Sequence, residues 1–387
     1  MKKCMKKIIA GLLSALLICL GVNSYSYAAV NIAESANVKV FVGGQQVRFS
    51  SNPITVNGQI LLDGKELLVK LGIPNDNKHI QLDKNQKNLI INTGKKQIKM
   101  TVDSTKAAVG KSSSLLNAAP VFYKNIYYIP AKSTAQLLDM KYAWDAEQKS
   151  VYIQKSSDYN RVKAVLDKAV AASKAAGRYE VEYSKESISD YGDYPVTGKA
   201  STVSKVDKEK MIMTIKGNGR DSANGSDTGI SEYYLYNNYI YSKNFFKDRW
   251  EKKLISEQEY RDWILNYDAG SFEISDILYC GLTIQENKKD NTILLKGNAF
   301  LHANKEDYEF EPVDTYLEIS INKNNHLINR ITLTHSEYLD SDYFGRYLYS
   351  SSETYEYRNY NGNFAVETPD ESQMEVEGEQ QALNALY

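Results

Sequence analysis

The chain is poor in cysteine, histidine, proline and tryptophan, and each shortage closes off a class of protein. Cysteine occurs three times in 387 residues. Cys4 and Cys19 fall in an N-terminal stretch, residues 1–28, that reads as a signal peptide. Lys2, Lys3, Lys6 and Lys7 form its basic start. Ile8 to Val22 is an apolar run too short to span a membrane with ease, and Ser26-Tyr27-Ala28 offers small residues for cleavage after Ala28. Ile18 before Cys19 is not the small residue that a lipid-modified cysteine requires. Only Cys280 then remains in the mature chain, so no internal disulfide can form and the cores must hold the fold. Its setting, Ile277-Leu278-Tyr279-Cys280-Gly281-Leu282, is apolar and suits a buried structural thiol.

The four histidines, His79, His302, His326 and His335, are scattered. No His-x-His pair or His/Cys cluster has the spacing of metal ligands, so neither metal nor cofactor is expected. His326 sits at a turn, Asn324-Asn325-His326, and His335 in an alternating strand. No Gly-x-Ser-x-Gly, His-Glu-x-x-His or phosphate-cradling glycine loop occurs, and no enzyme is expected. A formal net charge of −1 leaves no footprint for nucleic acid or an anionic membrane surface. Beyond Val22 no apolar run approaches the length of a membrane span. These features predict a secreted, extracellular protein associated with the cell wall or cell surface.

What is abundant is tyrosine, 30 residues against 10 phenylalanines. Tyrosine suits half-wet sheet faces, because the ring packs while the hydroxyl stays hydrated. A mature length of about 360 residues suggests two domains.

Residues 38–153 repeat internally. Pro53-Ile54-Thr55-Val56-Asn57-Gly58-Gln59-Ile60-Leu61-Leu62 returns as Pro120-Val121-Phe122-Tyr123-Lys124-Asn125-Ile126-Tyr127-Tyr128-Ile129, each a strand, a two-residue turn and a strand. A short helix follows each hairpin, with Leu67, Leu68 and Leu71 in one copy and Ala135, Leu137 and Leu138 in the other. Leu82-Asp83 then leads to Leu89-Ile90-Ile91, and Trp144-Asp145 to Val151-Tyr152-Ile153. The first copy carries a short insertion around Asn75 to His79. Duplication lets two small units bury one shared core.

With its Val38-Lys39-Val40-Phe41-Val42-Gly43-Gly44 opening, this region resembles the copper amine oxidase N-terminal-like domain of secreted and cell-wall-associated bacterial proteins. It departs from the family where Pro-Leu-Arg is common, reading Asp63-Gly64-Lys65 and Pro130-Ala131-Lys132. The resemblance implies a stalk-like accessory domain without copper or oxidase chemistry.

Lys155-Ser156-Ser157 reads as a linker. Val162, Val165, Leu166, Ala169, Val170 and Ser173 then recur at helical spacing up to Gly177. From Tyr179 the period becomes two, and successive polar turns predict an antiparallel meander. Ser256-Glu257-Gln258-Glu259 is a capping box opening a helix with Tyr260, Trp263, Ile264 and Tyr267 on one face. Phe272, Ile274, Ile277 and Leu278 suggest a second short helix. A helix, a meander and inserted helices, with the Tyr-Tyr-x-Tyr-Asn-Asn-Tyr-Ile-Tyr hairpin, Trp250, and Tyr360-Asn361-Gly362-Asn363-Phe364 before Pro369, resemble the LolA/LppX-like half-barrel lipoproteins and related bacterial surface proteins. Such folds carry or sense apolar ligands between helices and sheet.

Two polar stretches read as solvated loops. One is Ser187 to Pro195, where Asp190, Tyr191, Asp193 and Tyr194 could serve a sugar-cutting site. The other is Gly217 to Gly229, where Asp221, Asn224 and Asp227 could hold calcium, although their spacing is not that of an EF-hand. The predicted fold class is thus α+β: a duplicated β-hairpin/helix domain at 30–155, a curved, half-barrel-like antiparallel sheet domain with an N-terminal helix and inserted helices at 158–370, and an acidic tail at 371–387. The preferred function is a non-catalytic surface adaptor with a stalk and a sheet-domain binding head, whose partner is a cell-wall polymer or surface protein. The alternative is a carrier or sensor of an apolar small molecule, in a cavity lined by Trp263, Ile264, Phe272 and Ile277. A hydrolase of cell-wall polymer ranks third.

Overall fold

The computed structural model describes residues 31–370 except 84, 86, 193–194, 222–226, 245–248, 273, 288–290, 300–310 and 342–344, together with 372 and 374–376. The stretch at 1–28 expected to be a signal peptide, most of the acidic tail, and Asp193, Tyr194, Asn224 and His302 lie outside the described residues.

The N-terminal unit begins with β1 (Ile32–Glu34), β2 (Lys39–Val42) and β3 (Gln45–Val47). The first repeat follows as β4 (Ile54–Val56), β5 (Gln59–Asp63), α1 (Gly64–Lys70), β6 (Ile80–Leu82) and β7 (Asn88–Asn92). Then come β8 (Gln97–Thr101), β9 (Lys106–Val109) and β10 (Ser112–Leu115). The second repeat is β11 (Val121–Tyr123), β12 (Ile126–Pro130), α2 (Ala131–Leu137), β13 (Met140–Asp145) and β14 (Ser150–Lys155). They form three sheets, ordered β1-β4-β5-β12-β11, β10-β9-β8-β7-β6 and β13-β14-β2-β3.

Turn chemistry sets the hairpins. Asn57 and Gly58 have φ of 50° and 75°, and Lys124 and Asn125 have 49° and 65°. Two successive positive values define the turn whose twist matches paired strands. After the first hairpin, the Asp63 carboxylate accepts the Glu66 amide at 3.0 Å and caps α1. The repeats meet where β5 pairs with β12. Leu62 lies opposite Ile129, flanked by the pairs Asp63–Tyr128 and Leu61–Pro130. Leu62 and Ile129 are the same position of the repeat, and the flanking pairs exchange with each other, so a pseudo-twofold axis passes between them. Both are fully buried.

The C-terminal unit starts with α3 (Ser156–Ala175). Six strands follow: β15 (Arg178–Asp190), β16 (Pro195–Asp207), β17 (Ile212–Asp221), β18 (Asp227–Tyr236), β19 (Tyr239–Asn244) and β20 (Arg249–Leu254). After α4 (Glu257–Asn266) and α5 (Asp276–Gly281) come β21 (Thr283–Asn287), β22 (Thr292–Gly297), β23 (Glu311–Asn322), β24 (Ile328–Ser341), β25 (Gly345–Arg358) and β26 (Met374–Val376). One twelve-stranded sheet results, ordered β21-β22-β23-β24-β25-β15-β16-β17-β18-β19-β20-β26. Its earliest strand, β15, is therefore central. The sheet curls around the three helices, whose Val162, Leu166, Tyr260, Ile264 and Leu278 share a core with Val181, Met213, Leu235, Leu317 and Ile319. Ser256 accepts the Glu259 amide at 3.1 Å and so caps α4.

Several sequence expectations are corrected. There is no linker: β14 ends at Lys155 and α3 begins at Ser156. Ser187–Asp190 continues β15, and Gly217–Asp221 and Asp227–Gly229 belong to the β17–β18 hairpin. Both stretches lack an apolar face, but neighbouring strands satisfy their backbones, and pairing overrides weak local propensity. Phe272 and Ile274 precede α5 rather than joining it. Met374–Val376, inside the acidic tail, adds to β20 in parallel.

The two units meet at a seam of glycines. The Gly44 carbonyl accepts the Asn298 amide at 3.1 Å, and the Gln154 side chain donates to the Leu282 carbonyl at 3.2 Å. A Cβ on Gly44 would lie 2.8 Å from the Gly281 carbonyl oxygen, and one on Gly281 would lie 2.8 Å from the Asn298 oxygen. A Cβ on Gly297 would run into the Gly281 carbonyl. Beside this contact Phe41 stacks on Tyr152 at 4.8 Å, and both bury Cys280 with Ala143. Burial first, and Asp276 second, push the Cys280 thiol up to about 12.

Two outcomes are expected. Gly44 and Gly58 share a φ of 75°, but a Cβ on Gly58 meets nothing. Gly58→Ala should cost about 1 kcal/mol of unfolding free energy, and Gly44→Ala about 1–3 kcal/mol more, read by denaturant titration. Equal costs would mean that the seam yields. Cys280 should resist iodoacetamide in the native protein at pH 8 and react on unfolding. Its raised pKa stabilises the fold below the pKa of the unfolded thiol, and that contribution fades as pH climbs towards about 12.

Candidate functional site

Period-two alternation along β15 sends Tyr179, Val181, Tyr183, Lys185 and Ser187 to one face. Tyr179 and Val181 enter the core beneath the helices, so this face is concave. Strand register extends the pattern sideways as rows. The deepest row, Tyr179, Val206, Met213 and Leu235, is wholly buried. The next contains Tyr357, Val181, Ser204, Ile215 and Tyr233.

Beyond these two rows the face opens. Ile331, Tyr355, Tyr183 and Thr202 stand side by side. Tyr183 and Tyr355 are half-buried, and Tyr267, just past α4, and Trp263 are half-buried too. The Trp263 ring lies 6.3 Å from Tyr233, and the Tyr183 ring 4.8 Å from Tyr355. Burial raises the pKa of Tyr183, with Glu353, Tyr355, Tyr349 and Tyr267 adding to it, so these phenols stay protonated.

The following row turns polar. Lys185 binds Glu353 at 2.8 Å, with 30% and 15% of their side chains exposed. Burial opposes the charge on Lys185, but the bond to Glu353 and its charge outweigh burial and raise the lysine pKa. The Lys185 ammonium also lies 5.7 Å from the Tyr349 ring centroid. In the last row His335 sits opposite Ser351, with Glu337 at 3.8 Å. Ser351 Oγ is 3.2 Å from Nδ1 and 3.4 Å from Nε2 of His335. A hydroxyl nearly equidistant from both nitrogens faces the carbon between them, whereas an activated nucleophile needs one directed bond to a base. This Ser-His-Glu grouping is a polar lining, not a nucleophilic triad.

Of the side chains singled out from the sequence, Ile264 is buried in the large core, and Trp263 and Phe272 are half-buried against it. Ile277 is apart from them, packed at the seam beside Phe41, Tyr152 and Cys280. Asp221 and Asp227 end facing strands, and among the described residues no three His, Cys, Asp or Glu side chains gather as a metal site. Sequence reasoning missed Lys185, Glu353 and Glu337. The available signal was their phase: each continues the inward alternation of tyrosines on its own strand or faces one across the ladder.

Residues 41–153 match the copper amine oxidase N-terminal domain. The matched region contains one histidine, His79, and so cannot by itself assemble a three-imidazole copper site. No curated protein matches the chain. Among solved structures, LprF from Mycobacterium bovis is similar at 12% identity and a TM-score of 0.29, over 54% of this chain and 97% of that one. The lipoprotein LppX from Mycobacterium tuberculosis is similar at 15% identity and a TM-score of 0.28, over 54% and 99%. Both resemblances drawn from the sequence thus recur in these comparisons.

Proposed function

We propose that the protein is an exported, non-catalytic binding protein whose twelve-stranded sheet holds an amphipathic ligand on its concave face. The supporting observation is the gradient across that face, from a sealed apolar core, through half-exposed aromatic rings, to the Lys185–Glu353 pair and His335. Aromatic rings left half-wet beside a core offer apolar contact, and convergent polar groups at one end fix orientation. On this reading Trp263 and Phe272 border the apolar end of the site and Ile264 its floor. Ile277 belongs to the junction. The copper amine oxidase N-terminal-like unit serves as the stalk that presents the sheet from the cell surface.

The adaptor reading, in which the same sheet docks a surface protein or wall polymer, draws its support from the seam, because tight backbone contact makes stalk and head one lever. The two readings part on one measurement. Native mass spectrometry of the full mature chain, purified gently from its own host and then extracted with solvent, should reveal a stoichiometric apolar mass. Tyr183→Glu, which places a charge among the rings, should reduce its occupancy about tenfold or more while leaving the fold intact by circular dichroism. A clean apoprotein mass in the wild type would sink the carrier reading and leave the adaptor.

A further inference from the structure

We propose that the N-terminal unit carries a second, independent site for a phosphate group, built where the two repeats differ. The pseudo-twofold axis relates β14 to β7 and the β2–β3 turn to the β9–β10 turn. In the second repeat, the end of β14 and the β2–β3 turn grip the C-terminal unit, through Gln154 and Gly44. Among the described residues, the matching face of the first repeat has no such grip on the C-terminal unit. Asn92 stands where Gln154 stands, and two additions surround it. One is the insertion at Asn75 to His79. The other is β8, which separates β7 from β9, whereas β14 and β2 pair directly.

The insertion and the turn that leads into β8 are polar, whereas Ile98 and Met100 of β8 itself enter the core, and the polar parts converge on one pocket of about 390 Å³. Lys78, Lys95, Lys96 and His79 line it, with the amides of Asn92 and Gln97. Its frame is braced. Asn92 Nδ2 donates to the Lys78 carbonyl at 3.0 Å, and the Asn92 amide to the His79 carbonyl at 2.8 Å. Thr93 Oγ1 accepts the Lys96 amide at 3.1 Å and so fixes the turn. Gly94, at φ 79°, leaves the rim open.

Charge in the pocket is one-sided. Lys96 binds Asp139 at 2.7 Å and His79 binds Asp76 at 2.8 Å. Lys78 and Lys95 have no carboxylate partner among the described residues. Two ammonium groups without a carboxylate partner among the described residues, set beside Lys96 and His79, suit a compact anion with several oxygens, so a phosphate is preferred to a lone carboxylate. The core of the repeat does not require these lysines, because the second repeat buries its share without them. A phosphate carried on a polymer would hold the stalk to a surface.

The test titrates the full mature chain by calorimetry with inorganic phosphate and with a synthetic glycerol-phosphate polymer. The K78Q/K95Q double variant should bind the polymer about tenfold more weakly, with a shallower salt dependence. The K65Q/K132Q double variant, altered at exposed lysines on α1 and α2, should bind as wild type. Inorganic phosphate should displace the polymer, and its own binding without the polymer would identify a free-phosphate site. The proposal falls if neither probe binds, if K78Q/K95Q binds the polymer as wild type does, or if polyglutamate of equal charge binds as tightly. The ligand on the concave face is a separate matter, and either result there leaves this one unchanged.

Discussion

Close approach of backbone at Gly44, Gly281 and Gly297 is the constraint on which the relation of the two units depends. Side chains can slide or repack across an interface, but a carbonyl facing a missing Cβ cannot. Because β14 runs into α3 without a spacer, the chain enters the second unit at a fixed angle, and the glycines lock the far side of the same corner. The stacked Phe41 and Tyr152 and the buried Cys280 then fill the angle between them. A two-unit chain of this size would ordinarily bend at a linker. Here the bend has no place to occur.

The N-terminal unit shows how a duplicated sequence gains asymmetry without losing its core. Leu62 and Ile129 face each other across the axis and are interchangeable in kind, so the shared interior is indifferent to which repeat supplied them. Change accumulates at the rims. One rim became the docking surface for the sheet domain, while the other acquired an extra strand and a polar insertion. Asn92 and Gln154 record the divergence: equivalent positions, one bracing a basic pocket and the other tying two units together.

Much of this was legible in the sequence where local chemistry and periodicity agree. Asn57-Gly58 and Lys124-Asn125 announced their turns, Ser256 announced α4, and the inward stripe of Val162, Leu166 and Ala169 announced the long helix. Legibility failed where pairing supplies what local sequence does not. Ser187–Asp190 and Gly217–Asp221 read as loops because they are polar on both faces, yet strands on either side extend them. The candidate site was only half visible for a similar reason. Trp263, Ile264 and Phe272 stood out as apolar residues near a helix. Lys185 and Glu353 lie far apart in sequence, and only the register of β15 against β25 makes them neighbours. The glycines of the seam lie in three distant segments, and nothing local shows that Gly44, Gly281 and Gly297 meet.

The central place of β15 has a consequence for how the molecule comes into being. A chain synthesised from its N terminus delivers β15 to β20 early, with β15 as a bare edge awaiting β25, whose residues near Arg358 must return to those near Glu180. Contacts so distant in sequence form slowly, and an unpaired edge is a template for wrong partners. The polar character that hid the outer half of β15 from sequence reading thus has a second value. Serines, a lysine and a glutamate along the waiting edge make it a poor surface for aggregation until the rest of the sheet arrives.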